Sequence, residues 1–216
     1  IISSFLQKNY DRLRTAKPLL KKMPAAIESF DFSDFDVVIS SNSAFAHGIK
    51  TDGKVKHICY CHSPMRYAWD YTHEYTRGMS SVMKWMIAKL LNEIRLWDFE
   101  AKDRADVMIA NSEHVQKRIA KYYRREAQVI YPPVSVKKFK AKKDHEDYFL
   151  IVSALTPFKR IDLAVEAFNK LGRRLVIIGE GAQAKILKSF AKDNIEFLGR
   201  LPDEEVREHM QNCRAF

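Results

Sequence analysis

The chain has 216 residues, of which 46% are hydrophobic, and it carries a formal net charge of +10. This size and apolar content suffice for one large or two small globular domains, and no apolar run approaches the roughly 18–20 residues of a membrane span. The N-terminus lacks the basic, apolar and small-residue succession of a signal peptide, so we expect a soluble, intracellular protein. The positive charge favours an anionic partner, whether nucleic acid, anionic lipid or a phosphorylated small molecule.

Strands and helices alternate in the first part of the chain. The hydrophobic patterns predict helices over Phe5 to Leu20, about Ser80 to Arg104 and Glu113 to Tyr122, and strands over Asp36 to Ser40, Lys56 to Cys61, Asp106 to Ala110 and Gln128 to Tyr131. Residues 134–147, a charged run that follows a proline pair, have the composition of a linker. We therefore expect one domain at 1–133 and a second at 148–216.

The part after the linker continues the alternation. Its predicted elements are a strand Phe149 to Val152, a helix from Ile161 that stops at Gly172, a strand before Gly179, a strand Ile195 to Leu198, and a helix Asp203 to Asn212 with Asp203 as N-cap. This order predicts an α/β fold in which parallel sheets are covered on both faces.

Two features of this second part point to phosphate binding. Lys159 and Arg160 stand where a predicted helix begins, and positive side chains there add to the free N–H groups and the helix dipole. The turn Gly179-Glu180-Gly181 follows the next strand, and open α/β sheets bind ligands at the carboxyl ends of their strands. A solvated basic loop and an ordinary strand-to-helix turn are the alternatives.

Three cysteines, Cys59, Cys61 and Cys213, fit neither a disulfide framework nor a C-x-x-C zinc pair. We predict that they are small buried residues, with a metal site as the less favoured alternative.

The stretch from Met79 to Phe99 combines many apolar residues with Lys84, Lys89 and Arg95. A basic amphipathic helix of this kind packs into a core, which is the commoner case, or lies on an anionic bilayer. The second interpretation predicts peripheral attachment to the inner face of the cytoplasmic membrane.

Seven ordered motifs are more specific than any of these features alone. They are DVVISSNSAFAHGIKT at 36–51, HICYCHSPMRYAWD at 57–70, ANSEHVQKRI at 110–119, VIYPPVSVKKF at 129–139, the Lys159 loop, VIIGEGA at 176–182 and IEFLGRLPDEEV at 195–206. With them the chain resembles, over nearly its full length, the family 4 (group 1) retaining glycosyltransferases of the GT-B fold, and within these the bacterial and archaeal mannosyltransferase-like members. The resemblance implies two Rossmann-like domains with parallel sheets that face each other across a cleft, the first binding the acceptor and the second a nucleotide sugar.

The resemblance also implies a reaction. A sugar, with mannose favoured, would pass from a nucleotide-diphosphate sugar to a glycan or lipid-linked acceptor with retention, without a cofactor or a bound metal. Because negative charge develops on the departing diphosphate, cations must be preorganised around it. Lys159 matches the family lysine with that role. Ala154 stands where an arginine is common, and we predict that Arg160, where many relatives have glycine, compensates.

Further residues match family positions. Gly179, Glu180 and Gly181 match the turn that passes close to the nucleotide sugar, Arg200 and Leu201 the loop that frames the base, and His62 the histidine that faces the transferred sugar. Arg66 and Tyr67 are candidate acceptor or cleft contacts, although Tyr67 is also suited to packing. Ser41, Asn42, Asn111 and Ser112 follow predicted strands and are candidates to bond ligand hydroxyls, with turn formation and helix capping as the alternative.

Both predicted domains look truncated. The glycine-rich first loop of the family would lie before Ile1 and its Glu-x7-Glu segment after Phe216, so we expect this fragment to be inactive. The apolar residue at the end suggests that another strand begins there. The alternatives are a sugar-nucleotide epimerase or phosphorylase of the same fold, and a basic nucleic-acid-binding module. No helix-turn-helix, RNP or zinc-finger pattern occurs, so nucleic acid is not the expected partner.

Overall fold

A computed structural model describes residues 2–70, 72–140 and 144–216, and the chain divides into two compact units, 1–133 and 134–216. Unit 1 contains the helices α1 (Gln7–Leu13), α2 (Met23–Glu28), α3 (Arg66–Trp69), α4 (Thr72–Tyr75), α5 (Ser81–Ala101) and α6 (Glu113–Tyr123), and the strands β1 (Val37–Asn42), β2 (Lys56–Cys61), β3 (Val107–Ala110) and β4 (Gln128–Val129). Unit 2 contains β5 (Phe149–Val152), α7 (Ile161–Leu171), β6 (Leu175–Ile178), α8 (Ala184–Phe190), β7 (Ile195–Gly199) and α9 (Asp203–Asn212).

Each unit is built on a parallel sheet, which confirms the predicted α/β class. The strand order is β1-β2-β3-β4 in unit 1 and β5-β6-β7 in unit 2. Strand β6 is buried along its whole length, because α7 and α8 cover one face of its sheet and α9 covers the other. Such a strand is continuously apolar, as its sequence LVII is.

The helix predicted over Phe5 to Leu20 is wrong in its extent. Helix α1 ends at Leu13, Arg14 takes a left-handed conformation at φ +52°, and a 3-10 turn follows at Lys17–Lys22. Pro18 has no N–H to donate and its ring would clash with the preceding turn, so an α-helix does not continue through it.

Three other boundaries differ from the prediction. Strand β1 extends to Asn42, so Ser41 and Asn42 belong to the strand instead of following it. Strand β4 stops at Val129. Asp203 is not the N-cap of α9, because Pro202 occupies that position. Asp203 lies in the first turn, where its charge still complements the helix dipole.

Both ends of unit 2 are held by hydrogen bonds. The C-terminal end bonds to the sheet, and the N-terminal end bonds to the last helix. Ala215 pairs in parallel with Phe149, and the N–H of Leu150 donates to the Ala215 carbonyl at 2.9 Å. Part of the predicted linker, 141–143, lies outside the described residues. On either side of that gap, the N–H of Lys140 donates to Gln211 Oε1 and that of Glu146 to the Asn212 carbonyl, both at 2.7 Å. The described linker residues therefore attach to the end of α9.

Helix α5 contains most of the predicted apolar stretch, and its two halves have different surroundings. Leu91, Ile94 and Ala101 in its second half are buried in the core. Residues 81–86, which form its beginning, are all exposed. Within the described ranges, none of the helices combines the length and apolar character that crossing a bilayer requires.

Cys59 and Cys61 are fully buried as predicted, and burial raises the pKa of their thiols to about 11 and about 12. Cys213 is only half-buried, so the prediction was wrong for this residue.

Candidate functional site

Three loops meet at the carboxyl edge of the sheet in unit 2. We call the segments 153–160, 179–183 and 199–202, which follow β5, β6 and β7, the unit 2 edge. Backbone hydrogen bonds join them: the Leu155 N–H donates to the Glu180 carbonyl at 2.8 Å, and the Leu155 carbonyl accepts from Gln183 at 3.0 Å. The Gly179 N–H donates to the Gly199 carbonyl at 2.7 Å. The predicted basic loop and glycine turn therefore lie side by side.

The structure supplies a reason within the protein for both glycines of the turn. A Cβ atom at Gly179 would lie 1.9 Å from the Ser153 carbonyl oxygen, and one at Gly181 would lie 2.3 Å from that of Leu155. Gly179 also has φ +137°, which L residues rarely adopt. Glycine is therefore required for the close packing of two loops, and approach of a ligand there stays a prediction.

Lys159 and Arg160 lie next to each other but have different surroundings. Both are exposed, at the end of a 3-10 turn (Pro157–Lys159) that leads into α7. The Arg160 Nε donates to both carboxylate oxygens of Asp162 at 3.1 Å, and Nη2 donates to Oδ2 at 2.9 Å. No described carboxylate lies within ion-pair distance of the Lys159 ammonium. Lys159 is thus the cation of this loop that needs no rearrangement to meet an anion.

Arg160 has a left-handed backbone at φ +51°. Glycine adopts this conformation without strain, whereas it is strained for an L residue such as arginine. The hydrogen bonds from Arg160 lower the pKa of Asp162, whose carboxylate also accepts backbone N–H groups at the start of α7. A diphosphate at this helix terminus would have to displace that carboxylate, so the predicted help from Arg160 requires the exchange of its partner.

Arg200 and Leu201, like Lys159 and Arg160, are neighbours in sequence with different surroundings. Arg200 is exposed after β7. Leu201 packs against the buried cluster of Tyr148, Leu150 and Ile178. The leucine side chain therefore anchors the loop, and the arginine side chain is the one open to a ligand.

The carboxyl edge of the unit 1 sheet brings together the predicted residues there. We call Ser41, Asn42, 62–67, Asn111 and Ser112 the unit 1 edge. The exposed His62 ring bonds through Nε2 to the Ser41 hydroxyl at 2.8 Å and packs edge-on against Tyr60 at 5.4 Å between ring centroids. The His62 N–H donates to the Asn42 carbonyl at 2.8 Å. His62 and Ser41 are the pair available to an incoming hydroxyl group.

The other polar residues of this edge have structural partners. The Asn42 side chain is fully buried and its Oδ1 accepts from the Ala44 N–H at 3.2 Å. Ser112 is the N-cap of α6, accepting from Val115 at 3.3 Å, and it donates to Asn111 Oδ1 at 3.1 Å. The capping alternative therefore describes Ser112, and roles in ligand binding for these three residues stay predictions.

Arg66 and Tyr67 begin the short helix α3. Arg66 is exposed, whereas Tyr67 is half-buried against a core that includes Met65 and Leu91. The Tyr67 hydroxyl donates to the Met65 sulfur at 3.2 Å. Tyr67 thus contributes packing, and Arg66 is the residue on the surface.

Sequence reasoning missed a side chain that holds the loop after β2. Arg118 on α6 donates from Nε to the Ser63 hydroxyl at 3.1 Å and pairs through Nη1 with Asp70 at 2.5 Å. Tyr122 donates to the same carboxylate. Although burial opposes it, the hydrogen bonds from Tyr122 and Arg118 lower the pKa of Asp70. Arg118 therefore ties the segment that follows His62 to the body of unit 1.

A second missed group is centred on Asp98 of α5, which is fully buried. Its carboxylate accepts from Trp69 Nε1 at 2.7 Å and from the Tyr123 hydroxyl at 3.1 Å, and His47 Nε2 lies 3.2 Å away. Burial raises the pKa of Asp98 to about 7 and lowers that of His47 to about 4, so the histidine is neutral at pH 7. A charged residue among apolar positions of α5 is the one sequence signal that marks this cluster.

Comparison with known proteins gives matches in both units. The family described as Glycosyltransferase Family 4 matches residues 2–138, and the family described as Glycosyl transferases group 1 matches residues 135–216. A curated relative, an uncharacterized glycosyltransferase (MJ1178) of Methanocaldococcus jannaschii, is 27% identical over 117 residues, which are 52% of this chain and 33% of that protein. The chain thus spans about a third of the length of that relative.

Solved structures resemble the chain in fold. Sucrose-phosphate synthase of Thermosynechococcus elongatus gives a TM-score of 0.62 at 12% identity, covering 93% of this chain and 55% of that one. TarM gives 0.58 at 16% identity, with 90% and 38% covered, and HepE of Anabaena, in complex with UDP and glucose, gives 0.54 at 15% identity, with 91% and 54% covered. These likenesses assign the GT-B fold class to the chain and, at such identities, concern the fold alone.

Proposed function

Since this chain belongs to Glycosyltransferase Family 4, we propose that the protein transfers a sugar from a nucleotide-diphosphate sugar to a glycan or lipid-linked acceptor. The observation that carries the proposal is the unit 2 edge, where three loops joined by backbone hydrogen bonds follow parallel strands. There Lys159 is exposed and has no carboxylate partner among the described residues. Both family matches describe glycosyl transferases, and nothing favours an epimerase, a phosphorylase or a nucleic-acid-binding module.

We assign the nucleotide sugar to unit 2. Cleavage of the bond between sugar and diphosphate leaves negative charge on the diphosphate, and a fixed cation stabilises that charge as it forms. Lys159 supplies the cation, and Arg160 adds a second when it leaves Asp162. Ala154 supplies none, so the demand on Lys159 is greater than in relatives with an arginine there. The binding of UDP by HepE, a protein of similar fold, supports a nucleoside diphosphate as the ligand class.

We assign the acceptor to unit 1. His62 and Ser41 form an exposed hydrogen-bonded pair, which suits contact with a sugar hydroxyl. Arg66 and Arg200 are exposed cations at the two edges, and they are the candidates for anionic groups of the acceptor and for the nucleotide. The finer proposal is mannose as the transferred sugar, retention at its anomeric carbon, and no requirement for a metal or another cofactor. For its location we propose the cytoplasm, including the inner face of the cytoplasmic membrane.

Calorimetric titration of the full-length protein with GDP, UDP and their sugar conjugates tests the donor site. We expect one nucleotide class to bind tightly, and Lys159→Ala to weaken that binding by about tenfold to a hundredfold, the loss of a charge-assisted contact. Lys170→Ala is the matched control, because Lys170 is an exposed lysine in the last turn of the same helix, α7. Equal affinities of the two variants would overturn the role of Lys159, and no binding of any nucleotide would overturn the proposed function.

A further inference from the structure

The beginning of α5 carries an exposed apolar surface. We define the α5 patch as Met79, Val82, Met83, Trp85 and Met86, whose exposed fractions are 38%, 68%, 44%, 66% and 46%. Isolated apolar residues on a protein surface are ordinary, whereas a contiguous group indicates an interaction site. Four members of the patch lie within five consecutive helical residues, about one and a half turns.

Val82, Trp85 and Met86 of the patch lie away from the surface by which α5 packs into unit 1, whereas Met83 lies in line with that surface, one turn before it. The residues of that packing surface, Ile87, Leu90, Leu91 and Ile94, contact the core from the second turn onward. At 100° per residue, Val82, Trp85 and Met86 lie on a different side of the helix from Leu91 and Ile94. Packing of α5 therefore leaves the patch uncovered by the described residues.

The charged residues of the chain segment that forms the patch have one sign. No acidic residue occurs between positions 75 and 92, where the chain carries Arg77, Lys84 and Lys89. The Lys89 ammonium lies 5.9 Å from the centre of the Trp85 ring. Further along the same exposed side of α5, Leu96 is 58% exposed but lies between Glu93 and Glu100. An anionic partner is thus favoured at the beginning of the helix and not at its end.

We propose that the α5 patch binds the surface of an anionic lipid bilayer. A tryptophan with an apolar body and a polar N–H suits the boundary between headgroups and acyl chains. The unbranched methionines adapt to a fluid apolar phase, and the lysines extend past the apolar surface to reach lipid phosphates. Basic side chains and a short apolar face together give reversible attachment in the plane of the interface. The α5 patch thereby gives a surface to the membrane location proposed above, and its contact with lipid does not depend on the transferase activity.

Fluorescence of Trp85 tests the contact directly, with the full-length protein and vesicles of equimolar phosphatidylglycerol and phosphatidylcholine. Trp69 and Trp97 are hydrogen-bonded to Asp98 and Glu28, so Trp85 is the tryptophan whose surroundings change on binding. We expect a blue shift and quenching by brominated acyl chains, both absent in Trp85→Phe. A shift that appears on raising protein concentration without vesicles would overturn the proposal in favour of a second copy of the chain.

Sedimentation with the same vesicles at low salt separates apolar contact from charge. Replacing both Trp85 and Met86 by serine is expected to weaken partitioning by about tenfold or more, and the matched control Leu96→Ser to leave it unchanged. Reversing Lys84 and Lys89 to glutamate should abolish binding, whereas the same change at the exposed Lys117 and Lys185 should not. Equal loss in the two charge pairs, or unchanged binding by the serine variant, would overturn the proposal.

Discussion

The two units hold the loops at their sheet edges by different means. In unit 2, backbone groups bond to backbone groups, as between Leu155 and Glu180, and Gly179 allows the loops to touch. In unit 1, backbone bonds such as that from His62 to Asn42 are supplemented by side chains from distant parts of the sequence, as Arg118 holds Ser63 across 55 positions. The unit 2 edge therefore depends on close backbone contacts, and the unit 1 edge depends in addition on charged groups with little exposure.

Because of this difference, we expect the two units to lose stability through different kinds of substitution. Buried or half-buried charged groups are costly to leave unpaired, because they lose the partner that offset their desolvation. Loops joined through the backbone tolerate side-chain changes but not an added Cβ at the contact.

All three tryptophans, Trp69, Trp85 and Trp97, lie in unit 1, so their fluorescence follows the unfolding of that unit.

The largest expected effect is in the core of unit 1. Asp98→Ala should lower the free energy of unfolding of unit 1 by about 3–5 kcal/mol, because the neutral Trp69, Tyr123 and His47 groups lose their common hydrogen-bond acceptor in the core and are left unsatisfied. Urea unfolding followed by tryptophan fluorescence measures it. Glu100→Ala, an exposed change on the same helix, is the control. A loss below about 1 kcal/mol in Asp98→Ala would show that this network contributes little.

The next effect concerns unit 2. Gly179→Ala should destabilise that unit by about 3 kcal/mol, because the added Cβ meets the Ser153 carbonyl and the backbone conformation is strained as well. Gly172→Ala is the matched control: Gly172 has φ +68° but nothing within 4 Å of its would-be Cβ, so only about 1 kcal/mol is expected. Hydrogen exchange in unit 2 during urea unfolding compares them. Equal losses would mean that strain alone, not loop contact, requires glycine.

The smallest of these effects links the unit 1 network to activity. Arg118→Met should cost about 2 kcal/mol in stability, because Asp70 keeps only Tyr122 as a described partner. We also expect acceptor turnover to fall about tenfold, because the segment after His62 loses its tie to α6.

Nucleotide affinity in the Arg118→Met variant should stay unchanged, since the proposed donor site is in unit 2. Lys117→Met, an exposed change one position earlier, is the control. A matching fall in nucleotide affinity would assign Arg118 a role beyond positioning.

The alternation of strands and helices was predictable because it depends on local hydrophobic pattern. The parallel sheets, the positions of β2, β5 and α7, and the exposed cations after β5 followed from that pattern. The break after Leu13 did not, because Arg14 adopts a left-handed conformation that its residue type does not announce. Pro18 was the available signal for the end of that helix.

The candidate site was predictable in part. Strand ends place His62 near Ser41 and the Lys159 loop near Gly179, and the sequence indicated these neighbourhoods. Arg118 and Asp70 could not be paired from sequence, because 48 positions separate them and neither belongs to a recognisable spacing. The reason for glycine at Gly179 was likewise hidden, since it depends on where the preceding loop lies in space.

The assignment of the nucleotide sugar to unit 2 is tested most directly by hydrogen exchange. Exchange is measured on the full-length protein with and without the nucleoside diphosphate that binds most tightly. We predict slower exchange at the unit 2 edge, in segments 153–160, 179–183 and 199–202, and unchanged exchange at 62–67 in unit 1. Slower exchange confined to the unit 1 edge, or at neither edge while the nucleotide is bound, would contradict the assignment of the donor to unit 2.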